Sequence, residues 1–189
     1  YANLCGDGSD HTAIVLDNTV NVPQMVMQTC DSLGQVEAMI GSAVGVVAPT
    51  AISLQGLTIQ QQYANEDVLL LARANLVRMD DVELVGAWTS ILGGANPTAA
   101  LRLFSGGSVN PVTSIYLSGC RFANTTHGVA TMDALNGDLS DDIVTAMTLV
   151  GCEFSHCFNG MVMTPGVSYV NITGSTFRNI DDQAVICQG

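Results

Sequence analysis

The sequence contains no lysine, and five arginines are its only strongly basic residues. Against them stand 17 Asp and Glu residues, so the chain of 189 residues has a formal net charge of -12. Such a surface repels phosphate backbones and anionic lipid headgroups, which argues against nucleic acid as a partner. Long hydrophobic runs are also missing, since no apolar segment approaches the roughly 18 residues of a membrane-spanning helix. We therefore expect no membrane insertion.

Hydrophobic residues still make up 48% of the chain, enough to argue against disorder and to fill the core of one main domain. Within it, five segments repeat a six-residue pattern that begins and ends with an apolar residue. The segments are residues 54–59, 79–84, 117–122, 149–154 and 172–177. Their third residues are Gly56, Asp81, Gly119, Gly151 and Gly174. A turn-forming residue at this place predicts a bend between two short strands.

A third apolar strand follows each repeat. These strands begin at Val68, Ala100, Gly128, Gly160 and Ala184. Three strands per repeat predict an all-β fold, a right-handed, single-stranded parallel β-helix whose coils stack about 4.8 Å apart. We expect about five turns over residues 51–189, continuing beyond residue 189.

Residues 1–50 lack the repeat and are expected to form an entry and capping segment. Ser32 and Gln35 resemble a capping box ahead of the apolar residues Val36, Met39 and Ile40, which predicts a short helix there. Such a helix would cover the open end of the solenoid.

The alignment of the repeats predicts which side chains stack inside the coils. One inward column contains Leu57, Val82, Cys120, Cys152 and Ser175. A second contains Ile59, Leu84, Phe122, Phe154 and Phe177. An outward ladder of alternating charge lies between them, formed by Thr58, Glu83, Arg121, Glu153 and Thr176. The cysteines are thus interpreted as small core residues, because no zinc-ligand spacing surrounds them.

Residues 51–189 resemble the pectate-lyase-like superfamily of right-handed β-helices, which includes polysaccharide lyases, polygalacturonase-like hydrolases and bacteriophage tailspikes. Residues 6–14, with the sequence GDGSDHTAI, resemble the entry segment of many tailspikes, with His11 in place of a second aspartate. The resemblance implies a structural and recognition segment of a virion appendage, a tail spike or fibre. It would be located on the virion or outside the cell. It would act as a homotrimer or larger assembly and contact host glycans or neighbouring subunits.

The resemblance also implies a second candidate function, a polygalacturonase-like glycoside hydrolase. Asp181 and Asp182 precede a strand as in those enzymes, and Asp141 and Asp142 form a further pair. Two carboxyl groups that flank a glycosidic bond can act as acid and base. The other motifs of those enzymes are missing, and acidic doublets are also typical of solvated turns. The sequence therefore leans against an enzyme. A non-viral extracellular scaffold is a third alternative.

Two segments are candidates for binding. Asp133, Asp138 and Asp141 lie in an acidic segment whose oxygen ligands suit Ca²⁺, although the spacing is not that of an EF-hand. A solvated loop is the simpler interpretation, and no cofactor is expected. Trp88, the only tryptophan, lies in a glycine-rich insertion, residues 86–100. It is a candidate for contact with a sugar or a subunit, or it packs locally.

The remaining cysteines leave the redox environment open. Cys5 and Cys30 could pair across the entry segment, or stay reduced.

Overall fold

A computed structural model of the chain describes residues 2–15, 27–28, 51–62, 67–72, 76–88, 98–104, 114–131, 144–163 and 165–187. In these ranges the chain forms one sheet of 14 strands and no helix. The predicted all-β class is confirmed. The helix predicted near residues 32–40 lies outside the described residues. The strands are β1 Ala2–Cys5, β2 Ala13–Val15, β3 Met27–Gln28, β4 Ile52–Gln60, β5 Leu69–Ala72, β6 Leu76–Val85, β7 Ala99–Phe104, β8 Ser114–Ser118, β9 Arg121–Ala130, β10 Val144–Val150, β11 Glu153–Met163, β12 Val167–Thr173, β13 Thr176–Ile180 and β14 Val185–Cys187.

The strands are paired in three sets, and every pairing is parallel. The first set contains β1, the first half of β4, the first half of β6, β8, β10 and β12. The second set contains β2, the ends of β4 and β6, the starts of β9 and β11, and β13. The third set contains β3, β5, β7, the ends of β9 and β11, and β14. Each sequence repeat therefore contributes one strand to each set.

The bend between the first and second sets falls at the predicted residue of each repeat. Gly56, Asp81, Gly119, Gly151 and Gly174 all have a φ between 51° and 63°. This left-handed region favours glycine, and aspartate tolerates it better than most other residues. The sequence pattern and the backbone conformation thus agree at all five repeats.

A second bend leads from the second set to the third and was not predicted. Asn124, His156 and Asn179 occupy it at aligned positions, with a φ between 51° and 56°. Asparagine and histidine are among the residues that adopt this conformation most readily. The Asn179 side-chain nitrogen lies 3.1 Å from His156 Nε2, which links two neighbouring bends.

The core lies between the sets, where the predicted inward columns are aligned in register. The rings of Phe122 and Phe154 stack with centroids 4.9 Å apart, and those of Phe154 and Phe177 with centroids 4.6 Å apart. Gly128 and Gly160 make room for these rings, because a Cβ on either would lie 2.5 or 2.6 Å from a Phe ring atom. Within the described residues, no helix is long and apolar enough to cross a membrane.

Candidate functional site

A shallow groove of about 220 Å³ follows the bend between the first and second strand sets. It is lined by Ser9, Asp10, Val82, Glu83, Gly119, Cys120, Arg121, Gly151 and Glu153. The two glycines keep it open, and a Cβ at Gly151 would meet no atom within 4 Å. The groove is thus a polar channel that exposes the backbone of two bends.

The segment that resembles the tailspike entry forms one end of this groove. The Ser9 hydroxyl and backbone N–H donate hydrogen bonds to the Asp81 carboxylate, at 3.0 and 3.3 Å. The Thr58 hydroxyl donates to the Ser9 carbonyl at 2.7 Å. Gly8 N–H in turn donates to the Gly56 carbonyl at 2.9 Å. These contacts hold the loop against the first two bends.

The predicted outward ladder is confirmed and forms the wall of the groove. Arg121 lies between two carboxylates, with Nη1 2.9 Å from Glu83 Oε1 and Nε 3.9 Å from Glu153 Oε1. Arg178 Nη2 lies 3.8 Å from the other oxygen of Glu153. Exposed ion pairs of this kind stabilise a fold by at most about 1 kcal/mol each. Their main effect here is to fix alternating charges along the groove.

Two of the aspartates predicted as catalytic candidates, Asp181 and Asp182, do not line this groove. Asp181 and Asp182 are exposed after β13, where their backbone N–H groups donate to the carbonyls of Cys157 and Phe158. Asp141 and Asp142 lie outside the described residues, as do the calcium candidates Asp133 and Asp138. In the parts of the chain that the structure describes, no group of three His, Cys, Asp or Glu side chains is arranged to hold a metal.

Trp88 is half-buried and lies just after the end of β6. Its backbone N–H donates to the Asn124 carbonyl at 2.9 Å, which joins the start of the insertion to the second bend. Residues 89–97 of the insertion lie outside the described residues. Contact between Trp88 and a sugar or subunit stays a prediction.

Cys5 carries a free, exposed thiol, whereas Cys30 lies outside the described residues. The predicted pairing of these two residues therefore stays a hypothesis.

A buried polar cluster lies beside the third strand set, and the sequence analysis missed it. Arg102 and Asp67 form an ion pair with relative exposures of only 2% and 6%. His127 is buried next to them, with Nδ1 3.5 Å from the Asn159 side-chain nitrogen. Burial, followed by the positive charge of Arg102, lowers the pKa of His127 to about 4. An arginine inside the apolar strand β7 was the signal that could have revealed this cluster.

On the outer face of the first strand set, exposed apolar side chains lie among polar ones such as Ser118, Thr148 and Asn171. Leu76, Tyr116, Val150 and Tyr169 point outward from β6, β8, β10 and β12. Tyr169 is 79% exposed, and the Arg78 guanidinium lies 6.0 Å from the Tyr116 ring centroid. We call this surface, formed by the outward residues of β6, β8, β10 and β12, the apolar face.

Comparison of the chain with protein-family models, with curated proteins and with solved structures gave no match. The resemblance to the pectate-lyase-like superfamily therefore depends on the repeats and the entry segment described above.

Proposed function

We propose that the three strand sets are the three sides of a right-handed parallel β-helix. The order of the sets is the same in each repeat, and the bends lie at aligned residues, as successive coils require. A right-handed crossover is the strongly preferred connection between parallel strands of one sheet, which supports the hand. Stacked side chains and paired strands make such a coil a stiff rod.

We further propose that this rod is a structural and recognition segment of a larger assembly, a virion appendage such as a tail spike or fibre. The apolar face is the observation that carries this proposal. On the third set, the outward residues Leu70, Arg102, Ala130 and Val162 are buried. The second set presents the charged ladder and the groove. Among the described residues, the first set presents four large outward apolar side chains to solvent, whereas the second set presents one, Val15 of β2.

Charge favours contact between copies at this same face. A chain with a net charge of -12 repels its own copies, and the repulsion is weakest where the surface carries least net charge. The outward charged residues of β6 on the apolar face are Arg78 and Asp80, which compensate each other. Burial of the exposed apolar side chains of this face against a second copy would be favourable. The apolar face therefore suits neighbouring subunits of the predicted homotrimer.

Introduction of charge on this face tests the proposal. Tyr169→Glu and Val150→Glu should convert the oligomer into monomers in sedimentation velocity, because each places a carboxylate at the contact. Thr176→Glu is a matched control, since it adds the same charge at an exposed position of the second set. A monomeric wild-type chain, or dissociation by the control alone, would contradict the subunit contact.

The groove supports recognition of a glycan, because hydroxyl groups of sugars suit its carboxylates, its guanidinium and its exposed backbone. Titration calorimetry of the chain with purified neutral and acidic surface polysaccharides tests this role. We expect binding of neutral polysaccharides in preference to acidic ones, since acidic residues outnumber arginines along the groove.

Glycoside hydrolysis is the second candidate, and the carboxylates of Asp10, Glu83 and Glu153 on one groove favour it. Hydrolysis requires one carboxyl group as acid and another as base or nucleophile. Both glutamates are engaged by Arg121, which fits binding better than catalysis. Release of reducing ends by the wild type, lost in Glu153→Gln, would favour the hydrolase. Loss only in Asp181→Asn or Asp182→Asn would instead favour the aspartates.

A non-viral scaffold would be indicated by an oxidised Cys5–Cys30 pair.

A further inference from the structure

Two thiols lie one above the other inside the fold, at the same place in consecutive repeats. Glu153 pairs with Arg121 in parallel register, so the preceding residues Cys152 and Cys120 are also aligned. Both cysteines are only 1% exposed. The Glu153 N–H donates to the Cys120 carbonyl at 2.8 Å, which joins the two backbones directly at this level.

The two side chains have the same orientation. Cys120 Sγ lies 3.4 Å from the carbonyl oxygen two residues earlier, and Cys152 Sγ makes the equivalent contact at 3.8 Å. Cys152 Sγ also lies 3.5 Å from the Leu117 carbonyl oxygen, in the repeat of Cys120. The sulfur of Cys152 therefore leans toward the repeat that contains Cys120.

This arrangement meets the main distance requirement of a disulfide. Paired strands lie about 4.8 Å apart, and disulfides join Cα atoms that are about 4.4 to 6.8 Å apart. Near-parallel Cβ vectors leave some strain in the bond, and a strained disulfide is more easily reduced. The pair is therefore suited to reversible oxidation.

We propose that Cys120 and Cys152 are an oxidation site that forms an intramolecular disulfide with a small oxidant such as hydrogen peroxide. The peroxide reaches the pair through the groove, which Cys120 and Gly151 line. One thiol is oxidised to a sulfenic acid and releases one water. The other sulfur then attacks that sulfur and releases a second water. Two thiols and one peroxide thus yield one disulfide and two waters, and a dithiol reductant reverses the reaction. The proposal needs the strand register and access through the groove, and it is independent of the proposed function.

Cys157 provides a matched control within the same chain. It is fully buried, and its Sγ makes the equivalent contact to the carbonyl two residues earlier, at 3.4 Å. Its aligned neighbour is Thr125, whose hydroxyl lies 3.7 Å from the sulfur. Cys157 therefore has the burial and orientation of the pair but a hydroxyl in place of the second thiol.

The experiment uses the full chain with Cys5, Cys30 and Cys187 replaced by serine. Hydrogen peroxide should remove the mass of two hydrogen atoms, and peptide mapping should show a bond between residues 120 and 152. After unfolding, only Cys157 should react with an alkylating reagent. Oxidation should raise the melting temperature by about 5 °C, because the bond constrains the unfolded chain.

Four variants and two outcomes complete the test. Cys152→Ser and Cys152→Ala should show no mass loss and no temperature shift with peroxide, whereas Cys157→Ser should behave like the parent. Thr125→Cys should create a second aligned pair and lose two further hydrogen atoms. Alkylation of both Cys120 and Cys152 after peroxide treatment would overturn the proposal. A bond from either residue to Cys157 would also overturn it.

Discussion

The Arg102 guanidinium donates two hydrogen bonds to the Asp67 carboxylate, and both side chains are almost entirely buried. The same carboxylate accepts a hydrogen bond from the Ala99 N–H at 2.7 Å. The Asp67 side chain, just before β5, thus contacts both a backbone N–H and a side chain of β7. Removal of two charges from water is costly, so this pair depends on the completeness of its contacts.

Asp67→Asn should destabilise the fold strongly, because Arg102 keeps its buried charge without its carboxylate partner. We expect a loss of about 3 to 5 kcal/mol in the free energy of unfolding, measured by urea denaturation. Glu83→Gln is the matched control, since it removes one carboxylate of an exposed ion pair and should cost at most about 1 kcal/mol. Equal losses in both variants would show that burial of the Asp67 pair has no special role.

Protonation of His127 should make the free energy of unfolding depend on pH. Its pKa is lowered in the folded chain, mainly by burial, from 6.5 to about 4. Between these values the unfolded chain binds more protons at this residue than the folded chain, so stability falls as the pH falls through that window. The total loss is roughly 3 kcal/mol, and none arises from this residue above about pH 6.5.

His127→Gln should flatten this part of the curve of unfolding free energy against pH. His156→Gln is the control, because it makes the same substitution at an exposed histidine of the second bend. Parallel curves for wild type and His127→Gln between pH 4 and 6.5 would contradict the prediction.

Much of the strand arrangement was predictable because the repeat carries its own register. A bend residue in third place and an apolar residue in sixth place align every repeat, so Phe122, Phe154 and Phe177 had to stack if the repeats paired in parallel. The charged ladder followed from the same alignment. At these positions the residue type and the strand pairing favour the same arrangement, so the sequence predicts it.

The buried cluster and the groove were not predictable in the same way. Asp67, Arg102 and His127 come from three different repeats, and their contacts depend on what covers the third strand set. The groove depends on how the Ser9 loop returns to Asp81, a contact between residues 72 positions apart. Neither relationship has a period in the sequence. Asp181 and Asp182 were candidates because aspartate is a common catalytic residue. The structure places both at exposed positions outside the groove.

The residues of the phenylalanine column should contribute unequally to the free energy of unfolding. Phe154 is fully buried with a ring on each side, so Phe154→Ala should cost about 3 to 5 kcal/mol in urea denaturation. Phe177→Ala should cost less, because its ring is partly exposed and stacks on one described neighbour. Phe154→Leu keeps most of the apolar volume and should fall between wild type and Phe154→Ala. A larger loss for Phe177→Ala than for Phe154→Ala would contradict this order.

Gly160→Ala tests the space that the column requires. A Cβ there would lie 2.6 Å from the Phe177 ring and 2.4 Å from the Ala184 carbonyl oxygen. Because backbone is one of these neighbours, relief requires a shift of the strand, and we expect a loss of about 1 to 3 kcal/mol. Gly151→Ala is a useful contrast, since its Cβ meets no neighbour and only the positive φ opposes it. Phe177→Ala should rescue part of the loss in Gly160→Ala but none in Gly151→Ala.

Asp81 combines a strained bend with the anchor of the entry loop, and two substitutions separate these roles. Asp81→Gly relaxes the φ of 51°, as glycine does at the aligned bends, but removes the acceptor for Ser9. Asp81→Asn keeps an acceptor oxygen and tolerates the same φ. The glycine variant should therefore show faster amide hydrogen exchange over residues 8–12 with little change in global stability, and the asparagine variant should resemble the wild type. Asp80→Asn, at the neighbouring carboxylate, is the control. Equal exchange in the glycine variant and the wild type would show that the other contacts of the loop hold it without Asp81.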